Sequence, residues 1–467
     1  MFIGRKRELS KLEKLYSSGK FEFLVMYGRR RIGKTRLLVE FIKNKSAIFF
    51  SAEENNDKLN LSKFSEAIRE QYPQFKFIPD FDSWDNAFKF IAEISGDSRT
   101  VVVIDELPYV AQSNPSFLST LQHIIDHSFI KTNLFLIACG SSMSFMEKEV
   151  LSEKSPIFGR KTAQMHVEPF DYYDSAKFFP DYSYDEKIQA YGILGGIPQY
   201  LNKFNPSLGI PDNIKENILD TGAYLYDEPK NLMHQELRTP ATYNAIIEAI
   251  SSGASRLNQI STKCGEEGSK ASKYILNLVE LHILKKEFPI DNEKSKNTIY
   301  RVNDSLFRFV YRFAYHNKSL IERDRADYIF EEKILPEFNT YLGSSFENVC
   351  MEYLVRMDSQ DKTPFTIEKL GRWWGNNPAK KQQEEIDIVA TGKDSAIYGE
   401  CKYRNEPIGA DVLDLLIERS YLVPYSNKYY YLFSKSGFTK GLVKIAQDNP
   451  QIKLIHLHDL FDDVVDY

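Results

Sequence analysis

The sequence predicts an α/β chain: a parallel sheet wrapped by helices in its first half, and a second α/β unit in its last third. Three observations carry this. An apolar run, Phe23–Tyr27, ends at a glycine loop that opens a helix with Leu37, Leu38, Phe41 and Ile42 at helical spacing. Two further runs, Thr100–Glu106 and Leu134–Gly140, are apolar almost without interruption, which suits central strands buried on both faces. Near the other end, two strands flank a Gly392-Lys393-Asp394 turn after a helix over Phe346–Leu354.

The bulk composition bounds the rest. The 467 residues suffice for two or three domains, each with its own core. Hydrophobic content of 42% and charged content of 27% are those of an ordinary globular chain, not a disordered one. A net charge of −5 gives no global field for nucleic acid, so any such contact must rest on a local patch. Cys139, Cys264, Cys350 and Cys401 form no C-x-x-C pair, which argues against a zinc ribbon or disulfide framework and for a reducing, cytoplasmic setting. No apolar run is long enough to cross a bilayer, and the amphipathic N-terminus lacks an apolar signal core, so no membrane partner is expected.

The first chemistry lies at the loop. Gly28-Arg29-Arg30-Arg31-Ile32-Gly33-Lys34-Thr35 fits G-x-x-x-x-G-K-[ST] without a mismatch, between a strand and a helix that continues through Arg36. Such a loop turns backbone N–H groups inward as an anion nest, and the helix N-terminus adds partial positive charge. Lys34 is placed to reach the β- and γ-phosphates of a nucleotide and the Thr35 hydroxyl to bind Mg²⁺, while Gly28 and Gly33 relieve the steric cost. Ahead of it, residues 2–9 lead into a helix with Leu9, Leu12 and Leu15 on one face.

Ala47–Phe50 then reads as a strand, and Leu61–Ile68 and Trp84–Ile94 as helices. At the end of Thr100–Glu106, Asp105 is placed to hold Mg²⁺ through water and Glu106 to polarise the attacking water. Leu134–Gly140 runs into Ser141-Ser142, either of which suits the cap of the next helix. Arg160 precedes a fifth strand over Thr162–Val167, and Gly195-Gly196-Ile197-Pro198 interrupts a helical stretch over Gln189–Leu201.

In the middle, helices over Pro240–Ile250, Arg256–Thr262 and Ser269–Leu281 precede strands over Ile283–Phe288 and Thr298–Val302, the pattern of a winged helix-turn-helix. Lys270 and Lys273 would face DNA, but Glu266, Glu267 and Glu280 flank them, which favours packing over DNA binding. The expected spans are a nucleotide core over 1–170, a helical lid over 171–235, the winged helix over 236–304 and a last domain over 305–467. There, a hairpin symmetric about residues 393 and 394 sets Asp387 opposite Glu400. Lys402 shares the face of Glu400, and Glu347 is available from the preceding helix.

The ordered set over residues 1–230 resembles the archaeal-type P-loop ATPases of the AAA+/STAND group. The resemblance implies ATP and Mg²⁺ as cofactors, with Gly4 and Arg5 against the adenine. It places Ser141 at the γ-phosphate or the water, Arg160 as a charge-stabilising arginine in cis or from a neighbouring subunit, and Pro198 near the nucleotide. In those families the winged helix often packs on the nucleotide domain. The C-terminal set resembles the PD-(D/E)xK nucleases, departing from them in Ile386, which stands before Asp387 where those carry proline. That likeness implies Asp387 and Glu400 as Mg²⁺ ligands, Glu347 beside or completing them, and Lys402 as the group that orients water or stabilises charge. Two readings stand: an ATPase governing a metal-dependent cut in DNA, and a nucleotide-switched module whose last domain only binds protein partners or a second copy.

Overall fold

Side chains alternate along a strand, so each continuous apolar run must feed two cores at once. In the computed structural model, which describes residues 2–96, 98–237, 239–290 and 297–462, they do. Met1 and 463–467, the ends of the expected first and last spans, lie outside the described residues. The described residues divide into two units, those up to 169 and those from 170 onward.

The first unit contains α1 (Lys6–Tyr16), β1 (Glu22–Tyr27), α2 (Lys34–Ile42), β2 (Ala47–Ser51), α3 (Asp57–Gln71) and α4 (Trp84–Ser95). It continues with β3 (Val101–Asp105), α5 (Leu107–Ser113), α6 (Phe117–His127), β4 (Phe135–Gly140) and β5 (Ala163–His166). The strands form one parallel sheet in the order β2-β3-β4-β1-β5. Val102, Ile104, Leu136 and Ala138 pack with Phe64, Trp84 and Phe88 on one face. Val101, Val103, Phe135 and Ile137 pack with Leu12, Leu37 and Phe41 on the other. Burying such side chains is worth roughly 1.5–3 kcal/mol each, and both faces contribute. Helix α3 is longer at both ends than the expected Leu61–Ile68, because Asn56 caps it by accepting the Leu59 N–H at 3.0 Å.

In the second unit the expected helical stretch over Gln189–Leu201 is two helices, α7 (Tyr184–Leu194) and α8 (Pro198–Leu201). Gly195 at φ 64° breaks the first, and Pro198 starts the second. Helices α9 (Pro240–Ser251), α10 (Leu257–Cys264) and α11 (Gly268–Glu280) precede an antiparallel pair, β6 (Leu284–Glu287) and β7 (Ile299–Val302). Then come α12 (Phe338–Asp358), β8 (Lys369–Asn377), β9 (Gln382–Thr391), β10 (Ser395–Lys402), α13 (Ala410–Ser420), β11 (Asn427–Ser434), α14 (Lys440–Asp448) and β12 (Ile452–His456). The sheet order is β12-β11-β10-β9-β8, antiparallel across β8-β9-β10 and parallel across β10-β11-β12. The β9–β10 register, Ala396↔Thr391 to Gly399↔Ile388, is that of a turn symmetric about residues 393 and 394. Helix α12 runs well beyond the expected Phe346–Leu354, its apolar side closing one face of this sheet.

Gly196 pins the start of the second unit. The Phe170 N–H donates to its carbonyl at 2.8 Å, and a Cβ there would lie 1.7 Å from the Phe170 carbonyl oxygen. Backbone cannot yield as a side-chain tip can. Gly196→Ala should therefore destabilise this unit by more than the ~1–3 kcal/mol of ordinary overpacking, read as a lowered urea midpoint. An unchanged midpoint would show that the close approach is not needed.

Candidate functional site

The glycine loop is held from three sides. A Cβ on Gly28 would lie 2.5 Å from the Val167 carbonyl oxygen, so only glycine lets the end of β5 come this near. Arg31 at φ 70° and Gly33 at φ 88° adopt the left-handed conformation that turns the chain into α2. Arg5, itself at φ 63° and buried, donates to the Ile32 carbonyl at 3.0 Å, the Glu168 carbonyl at 2.7 Å and Glu8 at 2.8 Å. Arg5 thus braces the loop through its backbone, and Gly4 beside it is also left-handed at φ 64°.

Lys34 is buried at the first position of α2, and its Nζ donates to the carbonyls of Gly28 at 2.7 Å and Arg29 at 3.0 Å. Burial lowers its pKa, against Cys139, Glu106 and Asp105, which favour the charge. The Thr35 hydroxyl donates to Asp105 Oδ2 at 2.7 Å, and Asp105 Oδ1 accepts the Glu106 N–H at 3.1 Å. Glu106, left-handed at φ 54°, turns its Oε2 onto Ser141, accepting from the backbone N–H at 3.1 Å and from the hydroxyl at 2.9 Å. Ser142, not Ser141, stands at the N-cap of the next helix. Thr35, Asp105 and Glu106 therefore converge beyond the loop. A hydroxyl and a carboxylate beside a buried ammonium are the hard oxygen donors and the cation that fit Mg²⁺ with a nucleotide's phosphates.

The other expected residues lie apart. Arg160 makes a bidentate pair with Asp126, Nε at 3.2 Å and Nη2 at 3.1 Å, on the surface. Arg30 reaches the Tyr109 hydroxyl at 3.4 Å, the Ile32 side chain joins the core with Leu12, and Arg36 is exposed on α2. Pro198 belongs to the second unit. Sequence reasoning missed Cys139, whose buried thiol bonds to Asp105; burial and that carboxylate push its pKa well up and keep it neutral. Only its place in the strand next to β3 could have suggested this.

In the second unit Asp387, Glu400 and Lys402 come together where β9 and β10 part. Asp387 Oδ2 accepts the Cys401 N–H at 2.9 Å, and Lys402 Nζ lies 2.5 Å from Glu400 Oε1. Glu400 Oε2 is buried and has no hydrogen bond among the described residues, its nearest cation being Arg419 Nη1 at 3.7 Å. Burial first, then the charges of Glu400 and Glu347, raise the Asp387 pKa to about 7. A buried carboxylate oxygen with no hydrogen bond and only a loose ion pair, beside a second, reluctant carboxylate, is a donor set that a divalent cation would relieve. Glu347 is held by Arg372 at 2.7 Å, and among the described residues no three carboxylate, cysteine or histidine side chains gather as a metal cluster. Arg372, a bridge from Glu347 to Glu287 at 2.9 Å, was not foreseen; strand β8 reads poorly because glycines and polar residues interrupt it.

Residues 2–204 match the family described as an ATPase domain predominantly from Archaea, and residues 309–412 match one described as archaeal and bacterial proteins of unknown function. An uncharacterized protein of Methanocaldococcus jannaschii, MJECL04, is 34% identical over 408 residues, 87% of this chain and 88% of that protein. The Walker-type ATPase PABY2304 of Pyrococcus abyssi superposes at a TM-score of 0.50 with 19% identity, covering 67% of this chain and 96% of that one, a likeness of fold. Among the described residues no helix is long and apolar enough to cross a membrane.

Asp387 carries a pH signature. The folded carboxyl keeps its proton to about 7, against an ordinary value of 3.8, so between these the folded state binds the extra proton and loses stability as pH rises. Asp387→Asn should remove that loss. Denaturant titrations in chelator at about pH 4 and about pH 8 should show the wild type losing more stability across this range than the variant. Equal losses would mean that Asp387 is not so perturbed.

Proposed function

The chain belongs to one family with its Methanocaldococcus relative and carries an archaeal P-loop ATPase domain, and from that premise we propose that it hydrolyses ATP with Mg²⁺ to govern a metal-dependent, DNA-associated nuclease-like domain. The observation that carries the first part is the convergence of Thr35, Asp105 and Glu106 beyond the Lys34 loop. Lys34 exchanges its two carbonyl acceptors for phosphate oxygens, and the loop N–H groups from Gly28 to Thr35 hold the remaining charge. Thr35, and Asp105 through water, would hold Mg²⁺, which would neutralise charge on the phosphates. Glu106, released from Ser141, orients the water, and the freed Ser141 hydroxyl is then available to a phosphate oxygen. Gly4 and Arg5 serve the adenine end, Arg5 also by bracing Ile32. Arg160 assists only once its pair with Asp126 opens.

For the second part, the support is the meeting of Asp387, Glu400 and Lys402 in a mixed sheet behind α12, with the register a PD-(D/E)xK hairpin needs. In this reading the spans are 1–170 for the nucleotide core, 171–235 for the lid, 236–304 for a winged helix made of α9–α11 and β6–β7, and 305–467 for the nuclease-like domain. Two observations favour the rival, a nucleotide-switched interaction module: Arg372 occupies Glu347, and Lys270 of α11 pairs with Glu266 at 2.8 Å.

Lys34→Ala should lower ATP turnover by roughly 100-fold or more, and Glu106→Gln should keep ATP bound while slowing hydrolysis similarly. Nucleotide binding and phosphate release, measured on folded variants, check both. Wild-type turnover in either variant would remove that residue from the reaction.

With Mn²⁺ and ATP the wild type should nick plasmid DNA, and Asp387→Ala should abolish both nicking and the binding of Mn²⁺ by the second unit, followed by electron paramagnetic resonance in the Lys34→Ala background. Mn²⁺ bound without nicking would favour the interaction module. Neither metal nor nicking in the wild type would end the nuclease reading.

A further inference from the structure

Within the second unit, the end of α9, strands β6, β7 and β8, helix α12 and the short helix Ser305–Phe309 line a half-open cavity of about 340 Å³. That is at the low end of the ~300–1,000 Å³ usual for small-molecule sites. Four cationic side chains line it: Lys285, Arg301, Arg308 and Arg372, with Ser344 and Asn348 between them. Their carboxylate partners are fewer. Glu287 alone takes Lys285 at 2.6 Å, Arg301 at 3.0 Å and Arg372 at 2.9 Å, and Glu347 takes the other edge of Arg372. Arg308 is held, among the described residues, by neutral groups: the hydroxyls of Ser344, Ser345 and Tyr341 and the Gly192 carbonyl. Four cations meet two paired carboxylates, with Asp387 a further and more distant one acting on Arg372, which leaves an excess of positive charge in a half-enclosed space, where like charges repel more than they would in water.

We propose that this cavity is a binding site for a small phosphate-bearing anion, distinct from the nucleotide loop and linked to the Asp387–Glu400 site through Arg372 and Glu347. Guanidinium forks match phosphate oxygens bidentately, and three arginines from three different elements surround one space. Ser344 and Asn348 add neutral hydrogen-bonding groups, while Ile250, Ala254 and Val302 give an apolar wall. Glu287 occupies the cations in the meantime, as an internal competitor that the ligand displaces. Arg301, at 38% side-chain exposure, is the cation at the mouth.

The test is calorimetric titration of the full chain with sodium pyrophosphate, without divalent ions, in a Lys34→Ala background that weakens the nucleotide loop. One equivalent should bind. Adding Arg301→Ala should weaken binding by about tenfold, with Arg301→Lys intermediate because it keeps the charge and loses the fork. Adding Glu287→Gln should tighten binding several-fold by removing the competitor. The two Arg301 variants decide the matter alone should Glu287→Gln fail to fold. Absent binding, or binding indifferent to Arg301, overturns the proposal. So does a result in which Arg301→Ala spares pyrophosphate and instead loses affinity for a short DNA duplex, which would make these cations a contact for a nucleic-acid backbone.

Discussion

The parallel register of three strands is the constraint on which the first site depends. Pairing Val25 with Ala138 and Val103 with Ile137 brings β1, β4 and β3 to the same edge of the sheet with their carboxyl ends level. The glycine loop, Asp105 with Glu106, and Ser141 are simply the next residues on those strands. In a parallel sheet such ends share one edge, so residues more than a hundred positions apart meet there. A slip of one residue in β3 would turn Asp105 to the other face and part it from Thr35.

The two sites differ in how their polar groups are satisfied. In the first, Thr35 meets Asp105, Ser141 meets Glu106, and Lys34 meets two carbonyls, so removing one partner exposes another. In the second, Glu400 Oε2 is buried with no hydrogen bond and Arg419 only at 3.7 Å, and Asp387 holds its proton far above the ordinary range. An unsatisfied buried oxygen costs about 1–3 kcal/mol, which a fold retains where a ligand or a reaction compensates. The same contrast marks the cavity beside β7, where cations outnumber carboxylates.

Much of the fold was legible for identifiable reasons. The strands of the first unit could be read because their apolar runs are long and end at glycine or acid residues; α12 and α3 were read too short because their outer turns carry polar residues. Strand β8 escaped because its glycines, asparagines and bulge break the period of two, and everything after Tyr403 went unread. The register of β9 with β10 was legible from one turn, since a hairpin's turn fixes which residues face each other.

By itself the sequence determined the residue types and local geometry: a phosphate loop from Gly28 to Thr35, acids closing a buried strand, and a hairpin that sets Asp387 against Glu400. These are short-range properties, written in spacing and in the steric freedom of glycine. Only the tertiary structure decided what each side chain is doing now. It turned Glu106 onto Ser141, set Arg5 on the loop backbone, tied Arg160 to Asp126 and drew Arg372 between Glu287 and Glu347. Each of those choices depends on a partner distant in the chain, and a charged side chain gives no sign in the sequence of which distant partner will reach it first.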